Sequence, residues 1–168
     1  MLIYLIGFMG SGKTTAGKKL ARKLAYDFVD LDLLIESETG ISISTYFEQF
    51  GEENFRLIEQ QALKNTFKLE NVIISTGGGV PCFFNNMDEM NKNGLSIYLK
   101  ADIPLIINRL QSGKDQRPLI KNKSKEELKN YLSKLLSERE SYYNKAKLVV
   151  NAKSLSIEAL IEELKDKL

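Results

Sequence analysis

No histidine occurs anywhere in the chain, so acid and base chemistry must fall to carboxylates, lysine, tyrosine or bound water. Cysteine is used once, at Cys82. That excludes an internal disulfide, leaves no Cys/His cluster for a structural metal, and fits a reducing compartment. Long hydrophobic runs are missing too: the apolar stretch over residues 1–6 stops at Gly7 and runs into Gly10, Gly12 and Lys13, too short for a signal-peptide core or a membrane span. Neither sign of charge dominates. The 24 basic and 22 acidic residues leave a formal +2, too balanced to mark a nucleic-acid or membrane footprint. The expectation is a cytoplasmic protein with no nucleic-acid or membrane partner.

What is present is ordinary for a globular chain. At 168 residues, with 43% hydrophobic and 27% charged, it has the length of one domain spanning 1–168 and can bury a sizeable core without staples. No internal repeat interrupts it. Apolar runs at 2–6, 28–31, 72–75, 95–99 and 147–150 alternate with helical patterns, which argues for an α/β fold whose strands are buried on both faces of a parallel sheet. Residues 13–25 place Ala16, Leu20, Ala21 and Leu24 on one face and lysines and arginine on the other, an amphipathic helix after the first strand. Two connections exceed a simple crossover. Residues 32–68 read as helix broken near Gly40 and Gly51, and residues 111–124 carry Gly113, Pro118 and many charges with little apolar periodicity, read as a lid or a solvated loop.

Gly7-Phe8-Met9-Gly10-Ser11-Gly12-Lys13-Thr14 fits G-x-x-x-x-G-K-[ST], placed where a strand hands over to a helix. In such a loop the glycines turn the backbone so that its N–H groups point inward, and the helix N-terminus adds positive potential. Gly10, Ser11, Gly12, Lys13, Thr14 and Thr15 are the candidate nucleotide-binding residues, with Lys13 at the terminal phosphates and Thr14 as a Mg²⁺ ligand. A kinase, a GTPase switch and a motor-like ATPase all use this loop. Guanine reading is unsupported, because the nearest string to Asn-Lys-x-Asp, Asn122-Lys123-Ser124-Lys125, lacks the aspartate.

Phe28-Val29-Asp30-Leu31-Asp32 ends the second run in two aspartates, expected on the same side of an extended segment. Phe55-Arg56 follows with Glu59 one helical turn on, then Gly77-Gly78-Gly79, Arg117-Pro118-Leu119, and Arg139 within Glu138-Arg139-Glu140. In order and spacing this set resembles the shikimate kinase family, in its bacterial single-domain form, over nearly the whole chain. The resemblance implies a three-layer P-loop fold with a five-stranded parallel sheet, a substrate-binding helical insert at 32–68 and a lid loop at 111–124. It also implies transfer of the ATP γ-phosphate to the 3-hydroxyl of shikimate. Asp30 then resembles the residue that supports Mg²⁺ through water, and Asp32 the one that meets the shikimate hydroxyl as base or positioning group. Arg56 and Arg139 resemble the anchors of the shikimate carboxylate, a task suited to a planar guanidinium fork, with Glu59 orienting Arg56. Gly77, Gly78 and Gly79 resemble the backbone beneath shikimate, and Arg117 the lid arginine that reaches the phosphates during transfer. The catalytic set implied is Lys13, Asp32 and Arg117.

Read without the resemblance, several of these have plainer roles: Asp30 and Asp32 each as an N-cap or turn residue ahead of a helix starting near Leu33, Arg56 and Glu59 as a surface ion pair, the glycines as a turn. Ile43, Phe47 and Phe55 suit an apolar pocket wall or the core equally well. The third run ends in Ser75-Thr76 with no Walker B aspartate, so metal support must come from Asp30. The segment Asn151-Ala152-Lys153-Ser154 lacks the acidic residue and nearby proline usual in the family, which leaves the adenine contacts open; Arg109 is a stacking candidate or a helix-end charge. The combined expectation is a monomeric kinase using ATP and Mg²⁺. Its rivals are a gluconate or nucleoside monophosphate kinase, or a regulatory nucleotide-binding module without turnover.

Overall fold

Five parallel strands form one sheet in the order β2-β3-β1-β4-β5: β1 Leu2–Ile6, β2 Asp27–Asp30, β3 Val72–Ser75, β4 Leu95–Lys100 and β5 Leu148–Asn151. The computed structural model describes residues 1–112, 123–165 and 167. The three inner strands are buried nearly throughout, while β2 and β5 at the edges are partly exposed. Apolar runs without alternation thus mark strands covered on both faces. The chain leaves β1 across β3 to reach β2 but leaves the adjacent β3 across β1 to reach β4, so the connections from these neighbouring strands run in opposite directions on either side of β1. A crevice therefore opens beyond its carboxyl end, the switch point where open α/β sheets bind ligands.

Seven helices accompany the sheet among the described residues: α1 Lys13–Leu24, α2 Leu31–Thr39, α3 Ile43–Thr66, α4 Asn86–Asn93, α5 Ile103–Ser112, α6 Lys125–Tyr143 and α7 Ile157–Leu164. A 3₁₀ turn, Val80–Cys82, follows β3. The expected breaks in 32–68 fall where glycine permits them. Gly40 ends α2 in the left-handed region at φ 73°, and Gly51 kinks α3 at φ 78°. Two boundaries differ from expectation. The second strand stops at Asp30 and Leu31 already opens α2, because the Asp30 carboxylate accepts from the backbone N–H groups of Asp32 and Leu33 and starts a helix at once. Gln111 and Ser112 belong to α5, and Ser124 caps α6 in a reciprocal capping box with Glu127. Of the expected lid, residues 113–122 lie outside the described residues, Arg117 among them. No helix among the described residues is long and apolar enough to cross a membrane.

Candidate active site

The phosphate loop leaves β1 and closes on α1 through a glycine that no other residue replaces without strain. Gly12 is the N-cap of α1 at φ 95°, a left-handed conformation that side chains rarely adopt. Lys13 Nζ donates to the carbonyls of Gly7 and Phe8 at 2.9 and 3.0 Å, laying its charge across the loop. Thr14 Oγ1 donates to Asp30 Oδ2 at 2.9 Å. The Ser11 side chain is buried, and its hydroxyl has no hydrogen-bond partner among the described residues. Its Oγ lies 3.1 Å from where a Cβ on Gly7 would sit, turned under the loop. Arg109 clamps the outer rim: its guanidinium donates to the carbonyls of Gly10 and Ser11 at 3.2 and 2.6 Å and to that of Ala152 at 3.2 Å. A cavity of about 490 Å³ beside that clamp is lined by Gly12, Thr15, Lys19, Arg109, Ala152 and Leu155, among others.

Asp30 and Asp32 do not project together from an extended strand, as their spacing implied. Asp30 ends β2 and Asp32 sits in the first turn of α2. The N-cap role and the loop contact coexist in Asp30, one oxygen facing the helix N-terminus and the other Thr14. Both aspartates nonetheless line one cavity of about 560 Å³ with Lys13, Thr14, Gly77 and Gly78. Among the described residues no group of three His, Cys, Asp or Glu side chains is placed to hold a metal alone. The Thr14 hydroxyl and the adjacent Asp30 carboxylate still fit Mg²⁺, which is commonly bound by one or two protein oxygens together with substrate phosphates.

Beyond Asp32 the helical insert and α6 meet the glycine run after β3. A Cβ on Gly77 would lie 2.7 Å from Asp32 Oδ1 and 3.2 Å from Glu59 Oε1; one on Gly78, 3.3 Å from Arg139 Nη1; one on Gly79, 2.5 Å from Arg56 Nη1. The run is glycine for room, since four polar side chains, Asp32 from α2, Arg56 and Glu59 from α3 and Arg139 from α6, press against its backbone. Arg56 and Glu59 are buried, at 9% and 2% exposure, so their 2.8 Å contact is no surface ion pair. Glu52, one turn before, accepts from Arg56 Nε and Nη2 at 3.3 and 3.1 Å. The guanidinium also stacks 4.1 Å from the Phe83 ring centroid, with Phe55 and Phe47 farther off. Burial raises the Glu59 carboxyl above its usual range, and the Arg56 charge opposes the rise. Phe55 is core and Phe47 packs on it at 4.5 Å between centroids, while Ile43 lines the cavity. Cys82 stands beside this cluster with its thiol pushed up to about 11 by burial, which keeps it protonated and unreactive.

The sequence reading missed Glu52, Phe83 and Tyr143. Glu52 was detectable as the i−4 partner of Arg56. Tyr143 lies four residues after Arg139, on the same face of α6; its hydroxyl donates to the Gly78 carbonyl at 2.6 Å. No local pattern marks Phe83, which reaches Arg56 only through the turn after β3.

A phosphate loop at the switch point, opening into a cavity lined by Lys13, Thr14, Asp30 and Asp32 beside a glycine run that Arg56 and Arg139 approach, defines a P-loop phosphotransferase. The family model for shikimate kinase matches residues 9–168. The shikimate kinase of Azobacteroides pseudotrichonymphae is 48% identical over 167 residues, covering 99% of this chain and 98% of that protein. Among solved structures, the shikimate kinase of Bacteroides thetaiotaomicron matches with a TM-score of 0.93 at 38% identity, covering 99% of this chain and 97% of that one. That of Acinetobacter baumannii, in complex with shikimate, matches with a TM-score of 0.86 at 33% identity, covering 99% and 94%. The chain belongs to the shikimate kinase family, ATP-dependent kinases that phosphorylate shikimate.

Proposed function

We propose that the protein transfers the ATP γ-phosphoryl group to the 3-hydroxyl of shikimate, giving shikimate 3-phosphate and ADP. The observation that carries this reading is the convergence of Asp32, Arg139 and Arg56 on three consecutive glycines, at 2.7, 3.3 and 2.5 Å from their Cβ positions. One carboxylate for a hydroxyl and two guanidinium groups for a carboxylate match a hydroxylated ring acid better than a nucleotide or gluconate.

In this reading the 7–14 loop and Lys13 hold the triphosphate, and the base lies in the cavity beside Arg109. Thr14 and Asp30 hold Mg²⁺, which when bound neutralises charge on the phosphates. Arg56 and Arg139 anchor the shikimate carboxylate, Glu59 holding Arg56 in orientation, and Gly77, Gly78 and Gly79 let the ring approach the backbone. The acceptor oxygen bonds to the γ-phosphorus as the bond to the β-phosphate oxygen breaks. Asp32 receives or orients the hydroxyl proton, the task a chain without histidine gives to a carboxylate. Arg117, assigned from the sequence resemblance, completes the charge compensation, and Arg117→Ala is expected to lower kcat more than shikimate affinity. The reading includes one kinase domain over 1–168, with 32–68 as acceptor insert and 111–124 as lid, working as a cytoplasmic monomer.

The test is ADP release with shikimate, quinate, gluconate and AMP in parallel, with and without Mg²⁺. Turnover should depend on the metal and favour shikimate far above the rest. Preference for AMP or gluconate, or ATP binding without turnover on any acceptor, overturns the proposal.

A further inference from the structure

The tyrosine at the end of α6 touches the acceptor site from behind. Tyr143 is fully buried, and its ring packs on Tyr98 of β4 at 5.1 Å between centroids. Burial raises the phenol well above the ordinary tyrosine range, against the opposing charge of Arg139 beside it. The hydroxyl is therefore a permanent proton donor at any working pH, and it donates to the Gly78 carbonyl across 2.6 Å. Gly78 is also the residue whose missing side chain makes space for Arg139 Nη1. Tyr143 and Arg139 stand one helical turn apart, so one face of α6 grips the Gly78 peptide through the phenol and lays a guanidinium over it. That peptide is trans, so holding the Gly78 carbonyl toward α6 aims the Gly79 N–H the opposite way.

We infer that Tyr143 is a positioning residue for the acceptor: its bond to Gly78 sets the spacing between the Arg139 guanidinium and the glycine backbone on which the substrate carboxylate and hydroxyls are read. The inference rests on the acceptor-site reading above. Without the phenolic hydroxyl the Gly78 peptide is free to rotate and α6 to shift along it. Arg139 then loses its register with Arg56, which the turn after β3 holds separately through Gly79 and Phe83. Misplacement of an anchor is read mainly in the substrate it anchors.

Tyr143→Phe removes the hydroxyl and keeps the ring. The expected result is a shikimate KM raised roughly tenfold, the loss that one buried hydrogen bond with its acceptor left unsatisfied produces, with the MgATP KM within about twofold of wild type. KM does not depend on the folded fraction, so partial misfolding would not imitate this split. In an Arg139→Ala background the same substitution should add little, because the residue it positions is gone. Tyr98→Phe is the control: it removes the other hydroxyl of the stacked pair, which has no hydrogen-bond partner among the described residues, and both KM values should hold. Equal rises in both KM values, full additivity with Arg139→Ala, or the same defect in Tyr98→Phe would make Tyr143 a packing residue only and overturn the inference. If wild type turns over shikimate and Tyr143→Phe matches it, only this inference fails; absence of wild-type turnover on shikimate removes the reading beneath it.

Discussion

Asp30 and Asp32 are separated by one residue but by different physical surroundings, and substitution should separate them. Asp32→Asn keeps shape and removes basicity, and is expected to cost roughly 10²–10⁴-fold in kcat if the carboxylate accepts the proton. In a loose transition state proton removal comes late, and a loss confined to shikimate KM would make Asp32 a positioning group. Asp30→Asn weakens the partner of Thr14, so its defect should be relieved in part by raised Mg²⁺ while that of Asp32→Asn is not. Kinetics of both variants across a Mg²⁺ series decide the matter, and full rescue of Asp32→Asn would mean the two roles are reversed. Glu59 carries a pH dependence. Because burial raises its carboxyl, it takes up a proton at a higher pH than an ordinary glutamate and then no longer balances Arg56. Shikimate KM should therefore rise on acidification earlier than titration of the substrate carboxylate predicts, with MgATP KM flat over the same interval. In Glu59→Gln that early limb should be missing from the profile; its persistence would assign it to another group.

At the scale of elements, two glycines outside helices and strands give a paired test. Gly79→Ala drives a methyl into the Arg56 guanidinium, 2.5 Å from Nη1, and should raise shikimate KM roughly tenfold or more, the order of cost for a displaced anchor. Gly94→Ala, where α4 turns into β4, meets the Leu2 carbonyl oxygen at 2.6 Å and the Leu2 Cβ at 2.9 Å, a backbone-limited overlap at the far end of β1. It should destabilise by about 1–3 kcal/mol and lower Tm by about 2–4 °C for each of them, with both KM values unchanged. A reversed pattern would mean that the glycine run is structural and the 94 turn functional. Most elements were legible beforehand. β1 and β3 matched their apolar runs residue for residue, because strands covered on both faces need no polar alternation. The start of α2 was not legible, since a run ending in two aspartates reads equally as a longer strand or a capped helix. Only the packing of β2 beside the phosphate loop, which brings Thr14 to Asp30, decides between them.

For the whole molecule the sheet order opens two cavities at one carboxyl edge, one of about 560 Å³ lined by both the 7–14 loop and the glycine run and one of about 490 Å³ beside Arg109, with Gly10, Gly12 and Thr15 common to both. Each ligand binds only the folded chain and should stabilise it by mass action, by about 2.7 kcal/mol at a hundredfold excess over Kd. Thermal melts should rise with shikimate alone and with MgATP alone. In Arg139→Ala the shikimate shift should vanish while the MgATP shift persists. Loss of the MgATP shift in that variant would place Arg139 in the nucleotide site.

Taken alone, the sequence determined the α/β class, the phosphate loop with its strand and helix, and the identity and order of the polar residues that resemble a shikimate kinase. These are local patterns, readable because periodicity and glycine spacing act within a few residues. Tertiary structure decided what lies between elements. It buried Arg56 and Glu59, which i,i+3 spacing alone would leave on a surface, by packing α3 against the turn after β3. It turned Arg109 into a clamp on the phosphate loop by bringing α5 and the chain after β5 to one edge. And it gave Tyr143 its partner, 65 positions away in Gly78, because a buried hydroxyl must find an acceptor wherever the fold supplies one.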